Sequence, residues 1–287
     1  MAYAFDRRGE AVPRAARRIA SRLLSQGAAD LRAGEAQGIH TARKSIKKTR
    51  ALLRLLRDRV EGFDAANAAL RDIGRGISAS RDAEVLPLTV AALSADAAPP
   101  LRASLSRLLV PRGPVSDAAR DTALADAAAR LEAMAAAAPD WTISGKGFAA
   151  LEPGLTRAWH KARQAADRAR RGDPEAIHDW RKRVKDHWYH ARLLTPIWPA
   201  MMTAHAAAVG EIGERLGDRQ DIAVLLARLG AADLPADDAE AVRAHAVLHA
   251  DRLEAAARTL ADRLFAEDAE ALVRRWAAWW RLWQADR

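Results

Sequence analysis

The chain has 287 residues, 50% hydrophobic and 29% charged, enough to bury a sizeable core in one large domain or two smaller ones. It contains no cysteine, which excludes disulfides and thiolate metal sites. Its formal net charge of +9 favours polyanionic partners, whether nucleic acid, anionic membrane or a phosphate polymer, and the distribution of that charge must choose among them.

Alanine, leucine and arginine dominate, all strong helix formers, and alternating β-branched segments are nearly absent, so an all-α fold is expected. The N-terminal "MAYAFDRRGEAVPRAARR" has no apolar run ahead of its arginines and does not read as a secretory signal. Proline and glycine collect at "GEAQG" (34–38), "APP" (98–100), "PRGPVSD" (111–117), "APDWTISGKG" (138–147) and "GDPE" (172–175), which read as breaks. Between them the pattern predicts helices near 11–33, 38–60, 64–94, 100–110, 117–137, 148–171, 175–195, 199–229, 238–265 and 268–285. None approaches the ~18 uncharged apolar residues of a membrane span, and a cytoplasmic protein without membrane contact is expected.

The predicted helices repeat. "GIHTARKSIKKTRALLRLL" from 38 lines up with "AIHDWRKRVKDHWYHARLL" from 176, matching His40, Arg43, Lys44, Lys47 and Arg54 with His178, Arg181, Lys182, Lys185 and Arg192 at one offset. "DIGRGISASRDAEVL" from 72 then lines up with "EIGERLGDRQDIAVL" from 211, in the same order. The halves, roughly 1–140 and 141–287, read as copies of one helical unit. A repeat kept only for packing would preserve apolar positions; this one also preserves a histidine and several cations.

Residues 38–57 carry seven Lys or Arg and no acid. At about 100° per residue, Arg43, Lys44, Lys47 and Arg54 fall within roughly 60° of His40. Ala42, Ile46, Leu53 and Leu56 form a stripe on the other side. The second copy sets Trp180, Val184, Ala191 and Leu194 against its own cations in the same way. Like charges one turn apart cost about 0.2–0.5 kcal/mol per pair, which acidic residues usually relieve. Arg forks onto phosphate oxygens, Lys supplies point charge, and His can donate a hydrogen bond from the first turn, where the helix dipole favours anions. A cation row of about 20 Å suits an extended polyanion better than a single phosphate. Arg14, Arg17, Arg18 and Arg22 on the preceding helix extend the set, as do Arg157 and Lys161 in the second half. Arg81 and Asp82, and Arg219 with Asp221, sit beside apolar residues and read as packing or orienting ion pairs.

Other chemistry is hard to find. His245 with His249 and His187 with His190 have helical spacing but no carboxylate pattern around them, so no metal or cofactor is expected. "SGKG" at 144–147 lacks the earlier glycine of a phosphate-binding loop, and neither E-x-E-x-K nor G-x-S-x-G occurs. Trp276, Trp279, Trp280 and Trp283 follow helical spacing and read as a core or interface stripe. Residues 40–57 hold no aromatic on which bases could stack.

"IHTARKSIKKTR" and "IHDWRKRVKDHWY", each followed by an "RD…V"-type segment, resemble the two halves of the CHAD family, the conserved histidine α-helical domain, over roughly 5–285. The resemblance implies two four-helix bundles, 5–140 and 141–285, related by a pseudo-twofold axis with a basic groove between them. It also implies binding of inorganic polyphosphate and association with polyphosphate granules; with no carboxylate cluster or other catalytic pattern in the sequence, that binding is expected to be non-enzymatic. Position by position it points to His40, Arg43, Lys44, Lys47 and Arg50 in the first motif, and to His178, Arg181, Lys182, Lys185 and Tyr189 in the second. Trp188 stands at the place of Arg50, and Gln220 replaces an arginine of the family's second pattern, so the symmetry is not strict. A nucleic-acid or general polyanion binder is the runner-up, followed by an enzyme acting on polyphosphate and a scaffold for an acidic protein.

Overall fold

The apolar periodicity resolves, in a computed structural model, into eleven α-helices among the described residues. Those residues are 3–77, 81–109, 117–171, 175–230, 232 and 234–286; the side chains of 81–84 and 117–118, including Arg81 and Asp82, lie outside the description. In chain order the helices are α1 (Val12–Arg32), α2 (Ala36–Leu55), α3 (Phe63–Gly76), α4 (Arg81–Ser94), α5 (Pro99–Ser106), α6 (Asp117–Ala137), α7 (Glu152–Arg170), α8 (Ala176–Leu193), α9 (Pro199–Leu229), α10 (Ala236–Leu264) and α11 (Ala269–Ala285). Among the described residues no helix is long and apolar enough to cross a membrane.

Two boundaries differ from the sequence expectation. The helix expected over 38–60 ends at Leu55, because the following backbone pairs elsewhere. Glu61 N–H donates to the Thr142 carbonyl at 3.0 Å, Ser144 N–H donates to the Arg59 carbonyl at 2.9 Å, and Val60 forms an antiparallel bridge with Ile143. The segment joining the two halves of the chain thus takes hydrogen bonds that would have continued α2, and Gly62, at φ +69°, turns the chain into α3. The helix expected over 64–94 is two, α3 and α4.

In the first half α1 packs on α2 and α6, and α2 on α3; in the second α7 packs on α8, α8 on α9, and α9 on α10. The halves meet where α2 touches α7 and α8. Gly154 makes that approach possible: a Cβ there would lie 1.9 Å from the Leu55 carbonyl oxygen. The main core runs through both halves, with Leu24, Leu31, Leu52, Leu53 and Leu70 on one side and Trp159, Trp180 and Trp276 on the other. Each such side chain contributes about 1.5–3 kcal/mol by leaving water. Trp280 and Trp283 are also buried, which makes the C-terminal tryptophan stripe core; Trp279, partly buried, meets Trp198 edge-on at 4.9 Å. A second, smaller core joins Val90, Leu93 and Leu105 of α4–α5 to Ile222, Leu225, Leu229 and Val242 of α9–α10. Two helices from the first half of the sequence are therefore seated on the long helices of the second.

Candidate anion-binding site

The apolar stripes expected of the two helices are buried, Ala42, Ile46, Leu53 and Leu56 in and just after α2 and Trp180, Val184, Ala191 and Leu194 in and just after α8, and Ile39 and Ile177 are buried with them. The cations are left on the other side. His40, Lys44 and Lys47 are exposed, while Arg43, Arg50 and Arg54 are half-buried. Arg43 donates from Nη1 to the Ile77 carbonyl at 3.2 Å, and Arg50 donates from Nε to Asn67 Oδ1 at 3.1 Å, so both lie against α3.

In α8, His178, Lys182 and Arg192 are exposed, and Arg181 and Lys185 are half-buried against α9. The surface beneath these side chains is glycine. A Cβ on Gly213 would come within 3.0 Å of Lys185 Cε, one on Gly217 within 3.2 Å of Arg181 Nε, and one on Gly210 within 3.0 Å of Trp188 Nε1. Glycine inside a helix costs up to about 1 kcal/mol relative to alanine. Three of them on one face of α9 leave a smooth bed in which the cationic stems lie. Their spacing in "GEIGERLG" was a readable signal that periodicity of apolar and basic residues alone does not pick out.

The two basic helices touch. His190 Nε2 lies 3.0 Å from the Ala51 carbonyl, and Arg54 donates from Nη2 to Asp186 Oδ1 at 2.5 Å, so residue numbers rise along α2 as they fall along α8. Tyr3 is wedged alongside. Its hydroxyl donates to the Lys48 carbonyl at 3.2 Å, its ring meets Tyr189 edge-on at 6.1 Å, and Lys48 Nζ lies 5.8 Å above it. Tyr189 is buried, and burial pushes both phenols up.

The cations feel one another. Burial lowers Lys48, and Arg192, Lys44 and Arg22 lower it further. Lys185 is lowered by burial and by Arg181, against the pull of Glu214. Arg50 is pushed down to about 10 by burial and Arg54, with Asp186 opposing. His178 is lowered by burial, Lys182 and Arg181. Cations from α1, α2 and α8 therefore share one field, which disfavours every further positive charge and favours a polyanion. Lys48 and Asp186 belong to this arrangement although neither stood out in the sequence.

The outlying candidates divide. Arg22 joins the field around Lys48. Arg18 is held by Glu10 at 2.6 Å and Asp6 at 2.9 Å, and Arg157 by Asp58 at 2.8 Å. Arg14 is exposed and Arg17 half-buried on α1. Lys161, lowered by burial, Arg183, Arg57 and Arg157, lines with Arg157 a groove of about 890 Å³ between α7 and α11, apart from the α2–α8 contact. Arg219, expected to pair with Asp221, reaches Glu254 on α10 at 3.4 Å; Asp221, half-buried, helps to raise Asp218 after burial. The histidine pairs turn to other partners. His187 shares a hydrogen bond with His205, Nε2 to Nε2 at 2.8 Å, between Trp159 and Trp276, and His245 Nε2 lies 2.9 Å from the Leu93 carbonyl. Among the described residues no group of three or more His, Asp or Glu is placed to hold a metal.

A paired set of basic helices in an all-α chain can be set beside known families, and the model of the CHAD domain matches residues 14–230. The chain belongs to the CHAD family. The matched range covers α1 to α9 and ends where α9 ends, leaving α10 and α11 beyond it. Among solved structures this CHAD protein is similar to PptA from Streptomyces chartreusis, at 16% identity over 89% of this chain and 98% of that one, with a TM-score of 0.59. At that identity the likeness is one of fold. No curated protein matches the chain.

Proposed function

We propose that this CHAD protein binds inorganic polyphosphate without catalysis, along the faces of α2 and α8. The observation that carries the reading is the crowding of cations along and between those helices: Lys48 lies among Arg192, Lys44 and Arg22, Arg50 beside Arg54, and Lys185 beside Arg181 and Arg192, each lowered first by burial and then by these neighbours. A folded chain holds such charges together at a cost that a bound polyanion removes. His40, Arg43, Lys44, Lys47 and Arg50 supply one row, and His178, Arg181, Lys182, Lys185 and Arg192 the other. The first row runs about 15 Å and the second about 20 Å, each long enough for several phosphate units in sequence. Membership of the CHAD family supports a polyphosphate ligand over other polyanions. In this reading 5–140 and 141–285 are the two pseudo-twofold bundles, the rows face a common basic groove, and the protein sits in the cytoplasm on polyphosphate granules.

The test is a titration of long-chain polyphosphate, with duplex DNA of matched phosphate content alongside, at physiological salt. Tight polyphosphate binding with much weaker DNA binding is expected; equal binding of the two would make the faces a general polyanion surface and overturn the reading. In the double variant Arg43→Ala with Arg181→Ala, the affinity should fall by about tenfold or more while helical circular dichroism is retained. Phosphate release on addition of Mg²⁺ or Mn²⁺ would overturn the non-catalytic assignment.

A further inference from the structure

The two ends of the α2–α8 contact are not equivalent. At the offset that matches His40 with His178, Arg54 matches Arg192 and Lys48 matches Asp186. The ion pair between Arg54 and Asp186 therefore has a counterpart across the same contact, Arg192 with Lys48. One end attracts and the other repels. At the first, Arg54 donates to Asp186 Oδ1 at 2.5 Å, and Arg183 lies 3.9 Å from the second carboxylate oxygen. At the other, Arg192, Lys44 and Arg22 act on Lys48, all with the same sign. No carboxylate among the described residues forms an ion pair with Lys48 or Arg192.

The cations at this second end rest on aromatic faces instead. Arg192 Cζ and Lys185 Nζ each lie 4.6 Å from the Trp188 ring, and Lys48 Nζ lies 5.8 Å from the Tyr3 ring. A ring attracts a cation through its quadrupole but does not neutralise it, so the charge stays available to an anion. Glu214 and Asp218 act on Lys185, whereas the charges acting on Lys48 are all cations. Trp188, the residue that breaks the repeat at the place of Arg50, thus offers its ring to both Lys185 and Arg192.

We propose that a polyphosphate chain is gripped first at the Lys48–Arg192 end, and that Asp186 is an internal counter-ion that withholds Arg54 from it. This rests on the polyphosphate reading above and deepens it: the repeat supplies two rows, and one carboxylate decides which end is strong. Long-chain polyphosphate titrated against single variants tests it. Arg192→Gln and Lys48→Gln should each weaken binding by about fivefold or more, Arg54→Gln by less than about twofold, and Asp186→Asn should tighten it by about twofold. Arg192→Lys, which keeps the charge, should retain most of the affinity and so separate lost charge from lost packing. Equal losses for Arg192→Gln and Arg54→Gln, with wild-type binding intact, would overturn the asymmetry alone. A wild-type protein that does not bind polyphosphate would overturn both readings.

Discussion

α2 and α8 carry one motif in two settings. α2 has no acidic residue from Ala36 to Leu55, and two of its half-buried cations, Arg43 and Arg50, are fixed by neutral acceptors at α3, the Ile77 carbonyl and the Asn67 amide. α8 mixes its cations with Asp179 and Asp186, and each of these carboxylates takes arginine partners. Its cations also lie on a glycine bed, and three buried histidine or tyrosine side chains sit on its inner face. The motif therefore sets where the charge can be, while the neighbours decide how much of it an incoming anion meets. α2 offers a nearly unmixed cationic row; α8 offers a row whose strength varies along its length.

The largest effect expected of any one group breaks the setting of both helices together. Gly154→Ala would drive a methyl group against the Leu55 carbonyl, a backbone atom that cannot rotate away, where α7 crosses α2. We expect a loss of about 3 kcal/mol, at the upper end for overpacking, read from chemical denaturation. A milder result would mean that α2 and α7 can separate there without disturbing the core.

The next effect separates the two helices. His190 and His205 are held down to about 4 by burial, and His187 lies well below its ordinary value for the same reason. A histidine lowered in the folded state stays neutral while the unfolded chain binds protons below about pH 6.5, so stability falls as the pH falls from there towards 4. At pH 5 the loss is about 2 kcal/mol for each of His190 and His205. The positions of α2 that match His187 and His190 are Thr49 and Leu52, which do not titrate. Hydrogen exchange at pH 5 against pH 7 should therefore show protection lost first in α7–α9. Simultaneous loss in α1–α3 would show that the halves unfold as one unit.

The smallest effect sharpens the comparison most. Gly213→Ala would push the flexible Lys185 stem aside, while Gly74→Ala at the matching place on α3 would make an ordinary 3.6 Å contact with Ile46. Both changes favour the helix by up to about 1 kcal/mol. We expect Gly213→Ala to weaken polyphosphate binding by about threefold, with stability kept or raised, and Gly74→Ala to leave binding unchanged. Equal behaviour would mean that the glycine bed plays no part in placing Lys185.

Much of this arrangement was legible in the chain itself. A 3.6-residue periodicity with few β-branched runs leaves helix as the outcome, and the matched His40 and His178 segments mark the two basic helices before any coordinates. The separation of Ile46 from Lys47, and of Val184 from Lys185, follows from local geometry, since residues one apart on a helix face different ways. Local geometry has no say over what happens beyond the helix. That α2 stops at Leu55 depends on Arg59 and Glu61 finding partners at 142–144, far along the chain. That α4 and α5 pack on α9 and α10 depends on which apolar surfaces remain uncovered. Lys48, about 80° from His40, lies at the edge of the basic face, and only the approach of α8 and Tyr3 brings it into the field. The sequence by itself determined the helices, their repeat and the sign of their exposed faces, because these rest on contacts between residues three or four apart. Only the tertiary structure decided that Arg54 would meet a carboxylate and Arg192 a lysine, because that choice belongs to the crossing of two helices and not to either one.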